Sequence, residues 1–315
     1  MLAATVEHAR TPMSQTDNLW TRGCPVCDGN TYISLLRKLD LQLVRCLQCS
    51  MIYANPVPAE MATGNFYDQA GSEYLTPEKL DSDYADVRFK RELRLFRSRC
   101  RGGSVLDVGC SSGGFLHQLK RRFPNDYRVL GTDVSTEPLA HAARMGIPVV
   151  KGEFLTQTFD EKFDAITFWA VMEHLAAPKL FLQKAVSLLK PGGHCFVLTP
   201  NMNSLAVRLL GAKYRYIFPE HLNYFTPGTI CRFIETELDI VAMESTHFNP
   251  LVIWKDYRGG ERDISRAERA NLLKRTTRYK QSKWMLPVKA GYQAIELALG
   301  KLRLADNVSI VGRKR

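Results

Sequence analysis

The sequence predicts an α/β protein built on a doubly wound, mostly parallel sheet, and three stretches carry that prediction. In the first, Ser104-Val-Leu-Asp-Val-Gly-Cys-Ser-Ser-Gly-Gly-Phe-Leu116, an apolar run ends in Asp107, passes through Gly109 and Gly113-Gly114, and opens into a helical pattern. A buried strand feeding a glycine-rich turn and then a helix forms a ligand-binding edge in such sheets. The second, Tyr127-Arg-Val-Leu-Gly-Thr-Asp133, is another apolar strand ending in an acid, 26 residues after Asp107. The third is an alternation: a strand over 162–169, a helix ending in Leu188-Leu-Lys-Pro-Gly-Gly193, and a strand over His194–Pro200.

Along the chain, residues 20–58 carry Cys24-Pro-Val-Cys27 and Cys46-Leu-Gln-Cys49, two C-x-x-C pairs with 18 residues between them. Thiolates so spaced close a tetrahedral zinc shell with no open position for a substrate, making Cys24, Cys27, Cys46 and Cys49 candidate ligands of a structural Zn2+. A redox dithiol needs only one such pair. Short strands at Thr31–Leu36 and Leu41–Arg45 predict a ribbon that ends at Pro56 and Pro58. A segment this short buries too little core to stand unaided, so a metal staple is its simplest role. Residues 59–100 are predicted as a helical bridge, with helical spacing from Tyr84 to Phe96. Tyr67, Tyr74 and Tyr84 lie here, and Tyr67 and Tyr84 either line a ligand site or pack as core.

Residues 101–250 form the predicted core. Asp107 either orients the turn or reaches a ligand. Gly109 and Gly113 let the backbone approach a ligand where a side chain would fill the space. Asp133 suits the two hydroxyls of a ribose, since a carboxylate accepts both protons; capping the helix after Ser135 is the alternative. A dinucleotide competes for such a turn, but its G-x-G-x-x-G fingerprint is absent because Cys110 and Ser111 follow Gly109. The strand Pro148–Lys151 leads to Glu153-Phe154, and the strand ending at Trp169 leads to Ala170-Val-Met-Glu-His-Leu175. A second Glu-His pair sits in Phe218-Pro-Glu-His-Leu-Asn-Tyr-Phe-Thr226, before a helix capped by Thr226 and opened by Pro227.

The order and spacing of these motifs over roughly 105–250 resembles the class I S-adenosylmethionine-dependent methyltransferases. The likeness is to their small-molecule branch, where a Glu-His pair follows the fourth strand and Lys-Pro-Gly-Gly precedes the fifth. The four-cysteine segment, with Met51–Pro58, is similar to zinc-binding regions that precede some bacterial small-molecule methyltransferases. The resemblance implies a Rossmann-like sheet of seven strands. It implies S-adenosylmethionine held by Asp107, Gly109, Cys110, Gly113, Asp133 and Val134, with adenine contacts at Glu153 and Phe154; core packing is the alternative for Phe154. Ser111 departs from the family's usual glycine. The implied reaction is methyl transfer to a small polar acceptor, a hydroxyl of a sugar or secondary metabolite. Glu173-His174 would lie beside the methyl group, and either His174 or His221 would act as general base. Each histidine has a structural alternative, His174 as a cap and His221 bonded to backbone. Asn201, Asn203 and Tyr224 are further candidates for acceptor contact, and the ribbon is expected either to staple the chain or to help shape the acceptor pocket.

Two absences narrow the acceptor. Enzymes that methylate the exocyclic amines of bases carry an Asn/Asp-Pro-Pro-aromatic tetrapeptide where this chain has Trp169-Ala-Val-Met172, and no Pro-Cys nucleophile occupies that place. The charge adds one feature. Residues 255–315 hold 16 Lys and Arg against 6 Asp and Glu, which is +10 of the whole chain's +11. Asp239–Thr246 and Asn307–Arg313 read as the last two strands, so 251–304 is predicted as a basic helical insertion and 305–315 as the final strand of the core. In the insertion Val288, Tyr292, Ile295, Leu299 and Leu302 share one helical stripe. A packed helical lid is one reading; contact with an anionic membrane surface, led by Trp284-Met285-Leu286, is the second. RNA binding is the third, and the few aromatics for stacking count against it. An RNA methyltransferase, or a binding protein that keeps the fold without turnover, are the alternative functions. No basic start leads into an apolar core at the N-terminus, no run is long enough to cross a bilayer, and the cysteines have metal spacing or are scattered, so a cytoplasmic protein is expected.

Overall fold

The computed structural model describes residues 6–8, 19–62, 65–71, 75–259, 268, 271–272, 274–275 and 286–315; Tyr74, Trp284 and Met285 lie outside them. The N-terminal strands are β1 (Val6–His8), β2 (Leu19–Trp20), β3 (Thr31–Lys38), β4 (Leu41–Cys46), β5 (Ile52–Ala54) and β6 (Val57–Pro58). The hairpin β3–β4 is the predicted ribbon, β1 and β5 pair on its two edges, and β2 pairs with β6.

The bridge holds α1 (Asn65–Gln69), α2 (Pro77–Asp83) and α3 (Lys90–Arg99). One helix was expected from Tyr84 to Phe96; the chain instead ends α2 at Tyr84 and starts α3 at Lys90. The reason is Phe89, whose φ of 58° puts it in the left-handed region, where a right-handed helix cannot run through. The buried face of α3, with Leu93 and Phe96, packs on Phe115, Tyr127 and Phe196.

The remaining elements are β7 (Gly103–Val108), α4 (Gly114–Arg122), β8 (Tyr127–Asp133), α5 (Thr136–Arg144), β9 (Val149–Lys151), β10 (Phe163–Trp169), α6 (Pro178–Leu188), β11 (Leu189–Pro200), α7 (Leu205–Leu210), β12 (Asn223–Tyr224), α8 (Pro227–Glu235), β13 (Asp239–Thr246), α9 (Pro250–Gly259), α10 (Leu286–Lys301) and β14 (Asn307–Arg313). They build a 7-stranded sheet in the order β13-β14-β11-β10-β7-β8-β9, parallel except for β14, which runs antiparallel to both neighbours. This is the Rossmann-like α/β fold. Val105, Leu106, Ala165, Ile166, Phe168, Phe196 and Val197 are buried, as central strands covered on both faces require. The chain runs outward from β7 to β9, then crosses back to β10 on the other side of β7. The carboxyl ends of β7 and β10 therefore flank the topological switch point, where ligands of such sheets bind.

Two long-range features were not anticipated. β12, which follows His221, pairs antiparallel with β5, so a segment of the core completes the sheet of the four-cysteine unit. The stripe of α10 is packed only in part: Leu299 and Tyr292, the latter stacked on Phe248, are half-buried, whereas Ile295 and Leu302 are exposed and Glu296 is buried. Glu296 pairs with Arg91 of α3 and accepts the His247 amide at 2.7 Å. The helix meets a polar edge of the core, so a partnered carboxylate fits there better than an apolar side chain.

Candidate active site

The edge expected to hold a cofactor is assembled by β7, β8 and the turn between β7 and α4. Asp107 is buried at the end of β7, where its Oδ1 accepts a hydrogen bond from Thr167 Oγ1 at 2.6 Å. Burial pushes its carboxyl up to about 7 against the opposing effect of the Thr167 bond, and the charge of Asp133 adds to the rise. Asp133, at the end of β8, accepts the Ser111 amide on Oδ2 at 2.8 Å and the Ser135 amide on Oδ1 at 2.9 Å. The two readings of Asp133 are thus compatible, because each oxygen keeps a second lone pair.

The fold places its own constraint on the two glycines. Gly109 has φ 71°, and a Cβ there would lie 2.6 Å from Val171 Cγ2; at Gly113, φ 77°, it would lie 2.9 Å from Ala142 Cβ. The protein's own neighbours already exclude a side chain at both positions. Ser111 holds φ 49°, the conformation in which the family's usual glycine costs nothing. The Cys110 thiol is buried against Gly131, and its amide donates to the Thr132 carbonyl at 3.1 Å. Val134 is half-buried next to Asp133, and Glu153 is exposed just after Gly152, whose amide donates to the Asp133 carbonyl at 3.0 Å. The Phe154 ring is turned into the core against Phe159, Phe168 and Phe181.

Sequence reasoning missed how α2 covers this turn. Asp83 is buried, pairs with Lys79 at 2.6 Å and accepts from Ser112 Oγ at 3.3 Å, while the Tyr84 hydroxyl donates to the Ser112 carbonyl. The available signal was Thr76-Pro77, a helix cap with Lys79 and Asp83 one turn apart beyond it.

On the other side of the switch point, a short turn over Met172–His174 follows β10. Glu173 is buried, its Oε2 has no hydrogen-bond partner among the described residues, and burial pushes its carboxyl up to about 8. His174 Nδ1 lies 2.9 Å from the Glu220 carbonyl and 3.0 Å from the Tyr67 hydroxyl. A carbonyl only accepts, so the neutral ring carries its proton on Nδ1 and its lone pair on Nε2. The same holds for His221, whose Nδ1 donates to the Tyr216 carbonyl at 3.0 Å. The two imidazoles meet edge to face with centroids 4.7 Å apart, and Glu173, His174 and His221 bring their titratable atoms within 4.8 Å of one another. Two Glu-His motifs far apart in the chain thus form one cluster, with Tyr67 of α1 against it. The other polar candidates are engaged elsewhere. Asn201 donates to the Arg303 and Ala305 carbonyls, the Asn203 side chain accepts from Arg208, and the buried Tyr224 hydroxyl donates to the Phe218 carbonyl.

The four N-terminal cysteines converge as their spacing predicts. Cys24 and Cys49 Sγ are 3.3 Å apart, Cys27 and Cys46 Sγ are 3.5 Å apart, and all four lie within 4.8 Å of one another. The two knuckles are copies: Asp28 and Ser50 each follow the second cysteine in the left-handed region, and each amide bonds to the carbonyl of the first. Ligands about 2.3 Å from a tetrahedral zinc lie a little under 4 Å apart, so the donor set fits.

A buried acid-tipped turn at the switch point of a parallel sheet defines an enzyme fold that binds a nucleoside-containing cofactor, and comparison with known proteins gives its family. A family model for a methyltransferase domain matches residues 82–236. The ubiquinone biosynthesis O-methyltransferase of Photorhabdus laumondii is 34% identical over 173 residues, covering 48% of this chain and 68% of that protein. The enzyme of the same name from Alkalilimnicola ehrlichii is 29% identical over 206 residues, covering 59% of this chain and 81% of that protein. The fold is also that of a Thermotoga maritima S-adenosylmethionine-dependent methyltransferase, a possible histamine N-methyltransferase, with 16% identity, a TM-score of 0.50 and coverage of 80% of this chain and 100% of the other. The chain belongs to the class I S-adenosylmethionine-dependent methyltransferases.

Proposed function

We propose that this methyltransferase acts on a hydroxyl oxygen of a small polar acceptor, a sugar or secondary metabolite, with His221 or His174 as general base. The observation that carries the reading is the convergence of Glu173, His174 and His221 at the carboxyl end of β10. The relatives are O-methyltransferases, which favours oxygen. Asp107 and Asp133, with the backbone from Gly109 to Gly113 and Val134, are the residues to hold S-adenosylmethionine: two carboxylates suit its positive charge and its ribose hydroxyls. Glu153 flanks them, and Phe154 supports that edge from the core. When bound, the cofactor supplies an electrophilic methyl group on a positively charged sulfur. The chain's own part is to orient the acceptor and take its proton on an imidazole Nε2, whose direction is set by the Nδ1 bonds to Glu220 and Tyr216. Glu173 is neutral near pH 7 and places a carboxyl beside them without a second charge. Cys24, Cys27, Cys46 and Cys49 are the residues to hold a structural Zn2+.

The test is turnover by H221A and H174A on a panel of sugar and phenolic hydroxyl compounds, with S-adenosylhomocysteine affinity as control. Loss of roughly 100-fold or more in kcat at one position, with cofactor affinity intact, supports the reading; full turnover by both variants overturns it.

Contact with an anionic membrane is a second reading, and the surface of α9 favours it. Leu251, Trp254 and Tyr257 are exposed on this helix beside Lys255 and Arg258. Arg258 lies over one face of the Trp254 ring and Lys213 over one face of the Tyr257 ring. No described helix is long and apolar enough to cross a membrane. Co-sedimentation with phosphatidylglycerol vesicles, lost in L251E/W254E, is the expected result; no binding by the intact protein ends the reading.

A further inference from the structure

The segments that carry the two histidines are held by one side chain of the N-terminal unit. Arg22 lies two residues before Cys24 and is buried. Its amide donates to Asn55 Oδ1 at 3.1 Å, and its Nε donates to the Ala54 carbonyl at 3.3 Å. Its Nη1 donates to the Ala176 carbonyl at 3.0 Å, and its Nη2 to Asn223 Oδ1 at 2.9 Å and to the Leu222 carbonyl. Asn223 passes the contact on: its Nδ2 donates to the Met172 and Leu175 carbonyls, each at 2.7 Å. The Leu222 amide donates to the Glu173 carbonyl at 2.7 Å, and the Leu222 carbonyl also accepts the Ala54 amide at 2.9 Å. Arg22 and its partners thus grip the backbone on both sides of His174 and the residues just after His221. A second contact, Arg232 Nη1 to the Cys49 carbonyl at 2.6 Å, ties α8 to the other end of the four-cysteine unit. None of these bonds reaches Asp107 or Asp133, whose partners are Thr167, Ser111 and Ser135.

We propose that Arg22 is a positioning residue that fastens both histidine turns to the four-cysteine unit, so that the metal-bound state of this unit sets the geometry of the acceptor side and leaves the cofactor edge unchanged. The proposal rests on reading His174 and His221 as the acceptor side. A planar guanidinium suits the task, because its five donors form a rigid fork that spans several carbonyls at once; a lysine ammonium offers its donors from one point.

The experiment uses zinc-loaded full-length protein with no acceptor present. It follows amide hydrogen exchange, the imidazole resonances of labelled histidine, and calorimetric titration with S-adenosylhomocysteine, for wild type, R22A and R22K. The expected result for R22A is exchange at least about tenfold faster at the Leu222 and Ala54 amides, the size of effect for losing one buried bond. It comes with shifted His174 and His221 resonances and an S-adenosylhomocysteine affinity within about threefold of wild type. R22K is expected to resemble R22A, and chelation of the zinc is expected to reproduce the signature. Unmoved exchange and resonances in R22A or on chelation overturn the proposal, as does a loss of cofactor affinity matching the local change. Should R22A not fold, N223A breaks the same network with Arg22 in place and is held to the same outcomes. Full turnover by both H174A and H221A would instead remove the catalytic reading, and the exchange result would still decide the clamp.

Discussion

Single residues set the pH behaviour of this protein. Glu173, Asp107 and Asp306 are acids pushed up by burial, to about 8, about 7 and about 7. A folded-state value above the unfolded one means that the folded form binds protons the unfolded form has released. The stability from Glu173 is therefore fully present below its ordinary range near 4.5 and is lost as pH rises through about 8. E173Q, neutral at every pH, is expected to flatten the fall in Tm between pH 5 and pH 8 by at least about 3 °C, with Asp107 and Asp306 keeping part of the slope; scanning calorimetry across that range checks it. Asp107 yields a second expectation. A positively charged cofactor favours the carboxylate, so binding near pH 7 releases a proton. The calorimetric binding enthalpy is expected to vary with the ionisation heat of the buffer in wild type, and much less in D107N. Asp133→Ala is expected to weaken S-adenosylmethionine binding by about tenfold or more in the same titration, since it removes charge-assisted acceptors.

At the scale of the element, the turn between β7 and α4 is held by backbone conformation and by α2. Ser111 sits at φ 49°, where a left-handed backbone costs a residue other than glycine about 1–2 kcal/mol. Glycine's extra freedom in the unfolded chain returns about 0.5–1 kcal/mol of that, so S111G is expected to be neutral or to raise stability by up to about 1 kcal/mol, read by denaturant unfolding. G109A is expected to destabilise by about 2 kcal/mol or more, because the new Cβ meets Val171 at 2.6 Å on top of the φ penalty. The helix α10 is held by the buried Glu296 against a half-exposed Arg91, so E296A is expected to raise proteolysis and amide exchange there. Periodicity could not reveal this, because an apolar stripe says which face suits a core and not which surface the helix meets. The same limit explains the bridge, where helical spacing from Tyr84 to Phe96 concealed the reversal at Phe89.

At the scale of the whole molecule, the methyltransferase sheet and the four-cysteine unit are joined through the segment that carries His221 and β12. Removal of the zinc proposed at the four cysteines, or C24S, is expected to lower turnover without loss of the far-ultraviolet signal of the larger sheet, because the four-cysteine unit contributes β12's partner strand and no strand of that sheet. The sequence by itself determined the strand and helix order of the core, the acid-tipped turn at Asp107, Asp133 at the next strand end, and the cysteine quartet. Each rests on side-chain period, glycine tolerance or ligand spacing, all of which act between near neighbours in the chain or through a fixed metal geometry. It also named both Glu-His pairs, but not that they meet. That meeting, the pairing of β12 with β5, and the grip of Arg22 were decided by tertiary structure. They join backbone groups of distant segments, and a carbonyl that accepts a bond from across the fold leaves no mark on the identity of the residue that carries it.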